Sequence, residues 1–313
     1  MLVLTAKQVL KRSILLVNIV RWVRTQKEKW RGGSCSNYKL IARLAAFTPN
    51  TAGSLKDQSE LALLCAQQVF PFIGLLLNAL SRSPTAVSSI DTLCTDSVSR
   101  DAARELELLF NKHGSDKAWD HNYHHLYGSF LGPRRYDTLR VLEIGLGTNN
   151  PDVVSTMGKN GIPGASLRAF RDFLPNAEIF GADIDEPILF KEDRIETYYV
   201  DQTQPDSFND LLLNLGIEGF DLVIDDGLHA PNANIATLAF ALHILNPNGW
   251  FVVEDIKTES LPIWETVSAL LPVDSHPALI KARRAYMFVV RKPSTGFPNN
   301  TAGDGPASFR GAR

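Results

Sequence analysis

From Leu139 onward, short apolar runs alternate with amphipathic stretches, and this alternation constrains the fold more than any other feature of the chain. Residues 140–145, 177–183, 195–200, 220–225, 250–254 and 285–290 read as strands. The intervening 165–174, 207–215, 235–245 and 263–271 read as helices. Near-continuous apolar strands joined by helices make βα units. The expected fold is therefore α/β, a doubly wound, mostly parallel sheet with helices on both faces.

Upstream, residues 55–82 carry Leu, Ala and Phe at mixed three- and four-residue spacing and are expected to be helical, with Pro71 kinking or ending a helix. Residues 81–89 form a Ser/Pro-rich connector. An amphipathic helix over 101–111 is stopped by His113 and Gly114. The expected organisation is a basic, helical N-terminal extension (1–95), the sheet domain (96–292) and a Gly, Pro, Asn and Ala-rich tail (293–313) read as disordered.

Lys plus Arg number 32 and Asp plus Glu 34, a formal net charge of -2, which excludes a globally basic nucleic-acid binder. Cys35, Cys65 and Cys94 are too few for a disulfide framework and lack CxxC spacing, so a reducing, cytoplasmic setting is expected. No apolar run approaches the ~18–20 residues that span a bilayer. Residues 1–45 nevertheless hold ten Lys or Arg and one acid, Glu28. Three readings of that segment stay open: a solvated helical extension, a helix making peripheral contact with an anionic membrane surface, and a transit peptide.

Ligands of open α/β sheets bind beyond the carboxyl ends of the strands, so the residues just past each strand matter most. Gly145 and Gly147 follow the first strand and permit a tight turn and close ligand approach. Asn150 occupies the place of the third glycine of a dinucleotide fingerprint, which argues against NAD or FAD. Asp183 ends the second strand and can accept hydrogen bonds from a ribose diol. Asp201 and Gln202 follow the third; Asp201 suits an exocyclic purine amine or a helix N-cap. Asp225, Asp226 and His229 follow the fourth strand, and Glu254 and Asp255 the fifth. If those strands are neighbours, ~5 Å apart, the acids converge, and a hard divalent cation such as Mg²⁺ or Mn²⁺ would relieve their repulsion. His229 beside them is a candidate base.

Val141 to Gly147, Asp183, Asp201-Gln202, Val223 to His229 and Val253 to Asp255, in this order, resemble class I S-adenosylmethionine (SAM)-dependent methyltransferases. More narrowly they are similar to the metal-dependent sugar O-methyltransferases of macrolide biosynthesis, the mycinamicin and macrocin type. Lys112 to Lys117, with His121 and Tyr123, resembles the segment preceding the core in that group. The resemblance covers roughly residues 105–292. It implies that Glu143, Gly145 and Gly147 line the methionine end of SAM, that Asp183 holds the ribose, that Asp201 and Gln202 meet the adenine, and that Asp116 and Lys117 join the cofactor site. It further implies Asp226, Glu254 and Asp255 as Mg²⁺ ligands and His229 as the base, with Asp225 next in line. Two departures are local: Leu228 replaces a small residue, and the 149–164 loop is longer than in the macrolide enzymes.

The expected activity is methylation of a hydroxyl on a sugar or another vicinal-diol small molecule. The alternatives are a catechol-type or metal-free methyltransferase, or a membrane-associated SAM binder without catalysis. Homo-oligomer formation is left open.

Overall fold

The computed structural model describes residues 55–80, 85–216 and 219–295. The expected basic segment 1–45 and the tail from residue 296 lie outside them. Met1–Leu75 and Leu76–Arg313 are two compact units. Helix α1 (Leu55–Ala79) continues through Pro71, so of the two expected effects the proline does not end the helix there. The missing N–H and ring clash of a helix-interior proline cost ~3 kcal/mol, yet the helix runs on for eight residues beyond it. Its Ser59–Leu77 stretch is long and apolar enough to cross a bilayer. That corrects the expectation from unbroken apolar runs. Gln67 and Gln68 interrupt the run locally, yet the stretch as a whole stays apolar.

β1 (Val87–Ser89) turns part of the expected connector into an edge strand. Helix α2 (Ser97–His113) begins at an N-cap, where Asp96 accepts from Ser99 N at 2.8 Å, and ends at left-handed Gly114. Two further helical pieces follow, α3 (Asp116–Trp119) and α4 (His124–Leu131). The alternating region then runs β2 (Arg140–Ile144), α5 (Ala165–Phe173), β3 (Glu178–Asp183), β4 (Lys191–Glu192), β5 (Ile195–Tyr199), α6 (Pro205–Leu215), β6 (Phe220–Asp225), α7 (Pro231–Ile244), β7 (Leu245–Ile256), α8 (Leu261–Leu270), β8 (Ala278–Lys281) and β9 (Tyr286–Arg291).

Among the described residues these strands form one nine-stranded sheet in the order β1-β8-β9-β7-β6-β2-β3-β5-β4. The central β5-β3-β2-β6-β7 are parallel. β9 runs antiparallel to β7 and to β8. This is the expected doubly wound α/β sheet. Buried runs such as Val141–Ile144 are covered on both faces, as parallel strands require.

Strand parity decides which face each residue meets. Val141, Leu222, Ile224 and Val252 pack with Phe110 of α2, Tyr127 of α4 and Phe170 of α5. Leu142, Val223 and Val253 pack with Phe208 of α6, Phe240 of α7 and Trp264 of α8 on the opposite face. β2 pairs with both β3 and β6, so the chain reverses direction across the sheet at β2. The crevice at that switch point is where a ligand fits.

Candidate active site

Strand β2 runs into Gly145, whose φ is 98°. A Cβ there would lie 2.1 Å from the carbonyl oxygen of Asp226, so only glycine lets the loop after β2 pass the loop after β6 this closely. Beyond the strand ends opens a cavity of about 590 Å³. Gly145, Gly147, Asp183, Asp201, Gln202, Asp116, Lys117, Asp226, His229, Glu254 and Asp255 all line it, whereas Glu143 and Asp225 do not.

Parity explains those two exceptions. Glu143 lies two residues beyond Val141 and so points to the face of α5, where Ser166 Oγ donates to its Oε2 at 2.6 Å. Its other oxygen is 3.0 Å from Lys117 Nζ. Asp225 lies two residues beyond Val223 and points under α7. It accepts from Gln202 Nε2 at 2.9 Å and is fully buried. Burial raises the pKa of both carboxyls. Glu143 thus meets the cavity through its partners Lys117 and Ser166, which line it, and Asp225 through Gln202. Gln202 also gives Nε2 to Thr237 Oγ1 at 2.8 Å and accepts Leu228 N at 2.9 Å, so its amide braces the β5 and β6 loops.

Lys117 lines the cavity from within a buried ion-pair group. Its ammonium, expected at the cofactor, is 2.6 Å from Asp226 Oδ2 and 2.5 Å from Glu254 Oε2, besides its contact to Glu143. Burial acts to lower its pKa, but the carboxylates of Asp226, Glu143 and Glu254 outweigh that and hold it well above the ordinary lysine value. Glu254 has both oxygens engaged, one by Lys117 and one by the Tyr127 hydroxyl. It is 1% exposed, and burial raises its pKa. Its parity matches Val252, which sets it at the inner wall of the cavity against Lys117 and Tyr127.

Asp255 takes the opposite course. The pairing of β7 with β9 shifts register between Val253 and Ile256, and Asp255 adopts φ 57°. Such a bulge re-aims a side chain, here into the cavity. His229 is also left-handed, with φ 55°. Non-glycine residues in this region cost on the order of 1–3 kcal/mol and cluster at functional sites. Asp226, His229 and Asp255 each offer a ligand atom, and these atoms all lie within 4.8 Å of one another. His229 Nε2 is 3.9 Å from Asp255 Oδ2. On the other side of Asp255, Tyr123 OH donates to Oδ1 at 2.6 Å and His121 Nδ1 lies 3.2 Å from it. Burial acts to raise Asp255's pKa, but His121, Tyr123 and His229 outweigh it and hold the carboxyl below its usual range.

The donor set fits a hard divalent cation. Two convergent carboxylates with a histidine beside them suit Mg²⁺ or Mn²⁺, which keep several waters and take one or two protein carboxylates. Tyr123 and His121 fix the orientation of Asp255, the outer support that such ligands need.

Asp183 accepts Leu146 N at 2.7 Å and Asp185 N at 2.9 Å. Its carboxylate is thereby locked against the loop after β2, with lone pairs left toward the cavity. Burial raises its pKa. Asp201 accepts Thr203 N at 2.8 Å, an Asx turn that presents it at the rim. The 149–164 loop covers the opposite wall through Val153, Val154, Ser155 and Met157. A second cavity of about 450 Å³ shares His121, His229 and Asp255 with the first and extends toward Lys257 and Trp264. Tyr127 and Ser166 join the site without a strand-end position to mark them in the sequence. The i, i+4 spacing of Tyr123 and Tyr127 was the signal that could have found the first.

No protein-family model matches the chain. Over 182 residues it is 30% identical to the 8-demethyl-8-alpha-L-rhamnosyl tetracenomycin-C 2'-O-methyltransferase of Streptomyces olivaceus, covering 58% of this chain and 45% of that protein. Over 131 residues it is 36% identical to the demethylmacrocin O-methyltransferase of Streptomyces fradiae, covering 41% and 30%. The same identity over the same number of residues relates it to the mycinamicin VI 2''-O-methyltransferase of Micromonospora griseorubida, covering 41% and 30%. The chain therefore spans less than half the length of these curated relatives. Among solved structures it is similar to the MycE methyltransferase in complex with Mg, SAH and mycinamycin VI, at 22% identity and a TM-score of 0.48, covering 63% of this chain and 57% of that one. The relatives are O-methyltransferases of the macrocin and mycinamicin type and of tetracenomycin, the group that the strand-end motifs resemble.

Proposed function

We propose that the chain is a SAM-dependent O-methyltransferase that acts on a hydroxyl of a sugar carried by a small-molecule natural product and needs Mg²⁺ or Mn²⁺. The observation that carries this reading is the convergence of Asp226, His229 and Asp255 at the seam of two cavities, directly beyond the β6 and β7 ends. The similarity to O-methyltransferases named for rhamnosyl tetracenomycin and demethylmacrocin supports the sugar acceptor over a catechol.

When bound, SAM supplies a methyl group on a sulfonium, and the divalent cation supplies Lewis acidity toward the acceptor hydroxyl. The larger cavity takes SAM: Gly145 and Gly147 admit it against the backbone, Asp183 offers acceptors to the ribose, and Asp201 stands at the adenine rim. The second cavity, with Trp264 as its apolar wall, takes the acceptor. Asp226 and Asp255 would hold the cation, with Glu254 behind them as the further expected ligand. With oxygen ligands preferred by Mg²⁺, His229 is left to take the proton of the acceptor hydroxyl as the methyl group arrives, and Leu228 shapes the approach beside it. The sugar hydroxyl is a weak acid, so positioned proton removal and in-line alignment together lower the barrier.

The direct test incubates the full chain with methyl-labelled SAM, Mg²⁺ and a panel of glycosylated natural products and catechols. Label transfer to a sugar hydroxyl is the expected result. Transfer to catechols alone moves the assignment to the catechol-type alternative. SAM binding with no transfer to any acceptor supports the non-catalytic reading. No binding of SAM at all removes the cofactor assignment.

A further inference from the structure

Helix α1 lies outside all of this chemistry, and its surface is unlike that of an ordinary soluble helix. Phe72 is 58% exposed, Leu75 64% and Leu76 57%, and Leu61, Leu63, Leu64 and Val69 are exposed too. We propose that its Ser59–Leu77 segment embeds in an anionic lipid bilayer and anchors the chain there. Soluble monomers rarely leave apolar patches beyond a few hundred Å² uncovered.

Three observations favour lipid over a protein partner. Leu61 and Leu63 are separated by about 200° at ~100° per residue, so they project on nearly opposite sides, and both are exposed. A second helix or a second copy covers one stripe, whereas a bilayer covers all sides. The segment's 19 residues at ~1.5 Å each give a length close to the ~30 Å hydrocarbon core. Glu60 is its one ionisable acid or base, apart from the Cys65 thiol. Pro71, costly in water, is tolerated in membrane helices. The amino-acid sequence preceding the helix adds charge complementarity: ten Lys or Arg against one acid over residues 1–45. Such clusters beside an apolar helix are drawn to anionic headgroups.

The test floats the full chain on a density gradient with vesicles of phosphatidylcholine and phosphatidylserine, at low and at high salt. The chain is expected to float in both, because salt screens headgroup attraction but not apolar burial. The combined variant Phe72→Glu, Leu75→Glu, Leu76→Glu is expected to lose at least ~10-fold of its vesicle-bound fraction at high salt, since charge in the hydrocarbon is costly. SAM binding by the same variant reports that its sheet domain is folded. A second variant, Phe72→Trp, keeps the apolar surface, and brominated lipids are expected to quench its added fluorescence. Complete release of the parent chain by salt would assign the attraction to the basic segment alone and overturn the proposal. So would equal flotation by the triple variant, unquenched fluorescence, or a vesicle-free dimer that the triple variant turns into a monomer.

Discussion

Two acidic corners lie side by side at the ends of β2, β6 and β7, and they are finished in opposite ways. In the inner corner Glu143, Glu254 and one oxygen of Asp226 surround Lys117, and Tyr127 closes the far side of Glu254. That corner carries its own cation and is buried. In the outer corner Asp226, His229 and Asp255 face a cavity, and among the described residues the basic partners of Asp255 are histidines. Asp226 belongs to both, with Lys117 fixing one of its oxygens. The comparison teaches that an acid cluster in a sheet crevice is two kinds of object. One is an ion-pair knot closed by its own lysine and the other, on the proposed function, would take an external cation; the direction of each side chain separates them.

Metal removal breaks the comparison most strongly. With EDTA present, methyl transfer is expected to fall to background while SAM binding by calorimetry largely survives, because Gly145, Gly147, Asp183 and Asp201 remain to hold the cofactor. Asp255→Ala should reproduce this. His229→Ala should instead retain divalent-cation binding and SAM binding and slow turnover by ~10²- to 10⁴-fold, the usual worth of a positioned base. Full activity in EDTA would show that the outer corner needs no cation. Loss of cation binding in the His229 variant would make that residue a ligand rather than the base.

Lys117→Met probes the inner corner. Stripping the cation from buried carboxylates costs ~3–5 kcal/mol, so denaturation should shift to markedly lower urea. The deficit should shrink on acidification, since protonated Glu143 and Glu254 need no counterion. A Lys117→Met protein as stable as the parent would mean that the two corners do not differ in kind. Asp183→Ala, outside both corners, should weaken SAM binding by about 1.5–3 kcal/mol, the worth of hydrogen bonds to a charged group. It should leave cation affinity unchanged, and a loss of cation binding would mean that the cofactor and cation sites are coupled.

Much of this was legible beforehand. The parallel sheet, its helices and the strand-end acids follow from period-two and period-3.6 patterns in 140–290. What the one-dimensional pattern blurred was parity at the strand ends. Glu143 counts two from Val141, Glu254 two from Val252, and Asp225 two from Val223, and in each case the buried partner sends the acid to a helix-covered face. Counting on from Val253 alone would not have sent Asp255 to the cavity, because the bulge after Val253 and the left-handed backbone arise from pairing with β9. Lys117 could not be paired with acids 26 to 137 residues away until the topology joined them. β1 and β8 were invisible for a simpler reason: strands of three and four residues carry too little pattern to separate from loops.

The same contrast, countercharge present or absent, extends to two histidines three residues apart and yields the mildest expected effect. His121 lies among Asp255, Asp116 and Asp120; burial acts to lower its pKa, but those acids win and raise it. His124 is 5% exposed, its ring centroid lies 4.2 Å from that of His125 at a tilt, and among the described residues no acid figures in its electrostatics. Burial, then His125 and Arg283, pushes its pKa down to about 4. A histidine whose folded pKa is depressed binds fewer protons folded than unfolded between that value and its ordinary ~6.5. Its contribution is therefore complete above pH ~6.5 and is lost as the pH falls toward 4, costing ~1 kcal/mol at pH 6 and ~2 kcal/mol at pH 5. His124→Gln, which cannot take up a proton, should flatten the parent's stability loss over this window by those amounts, measured by urea denaturation at each pH. An unchanged pH slope in the variant would place the acid sensitivity elsewhere and show that an uncompensated histidine next to the site costs the fold nothing.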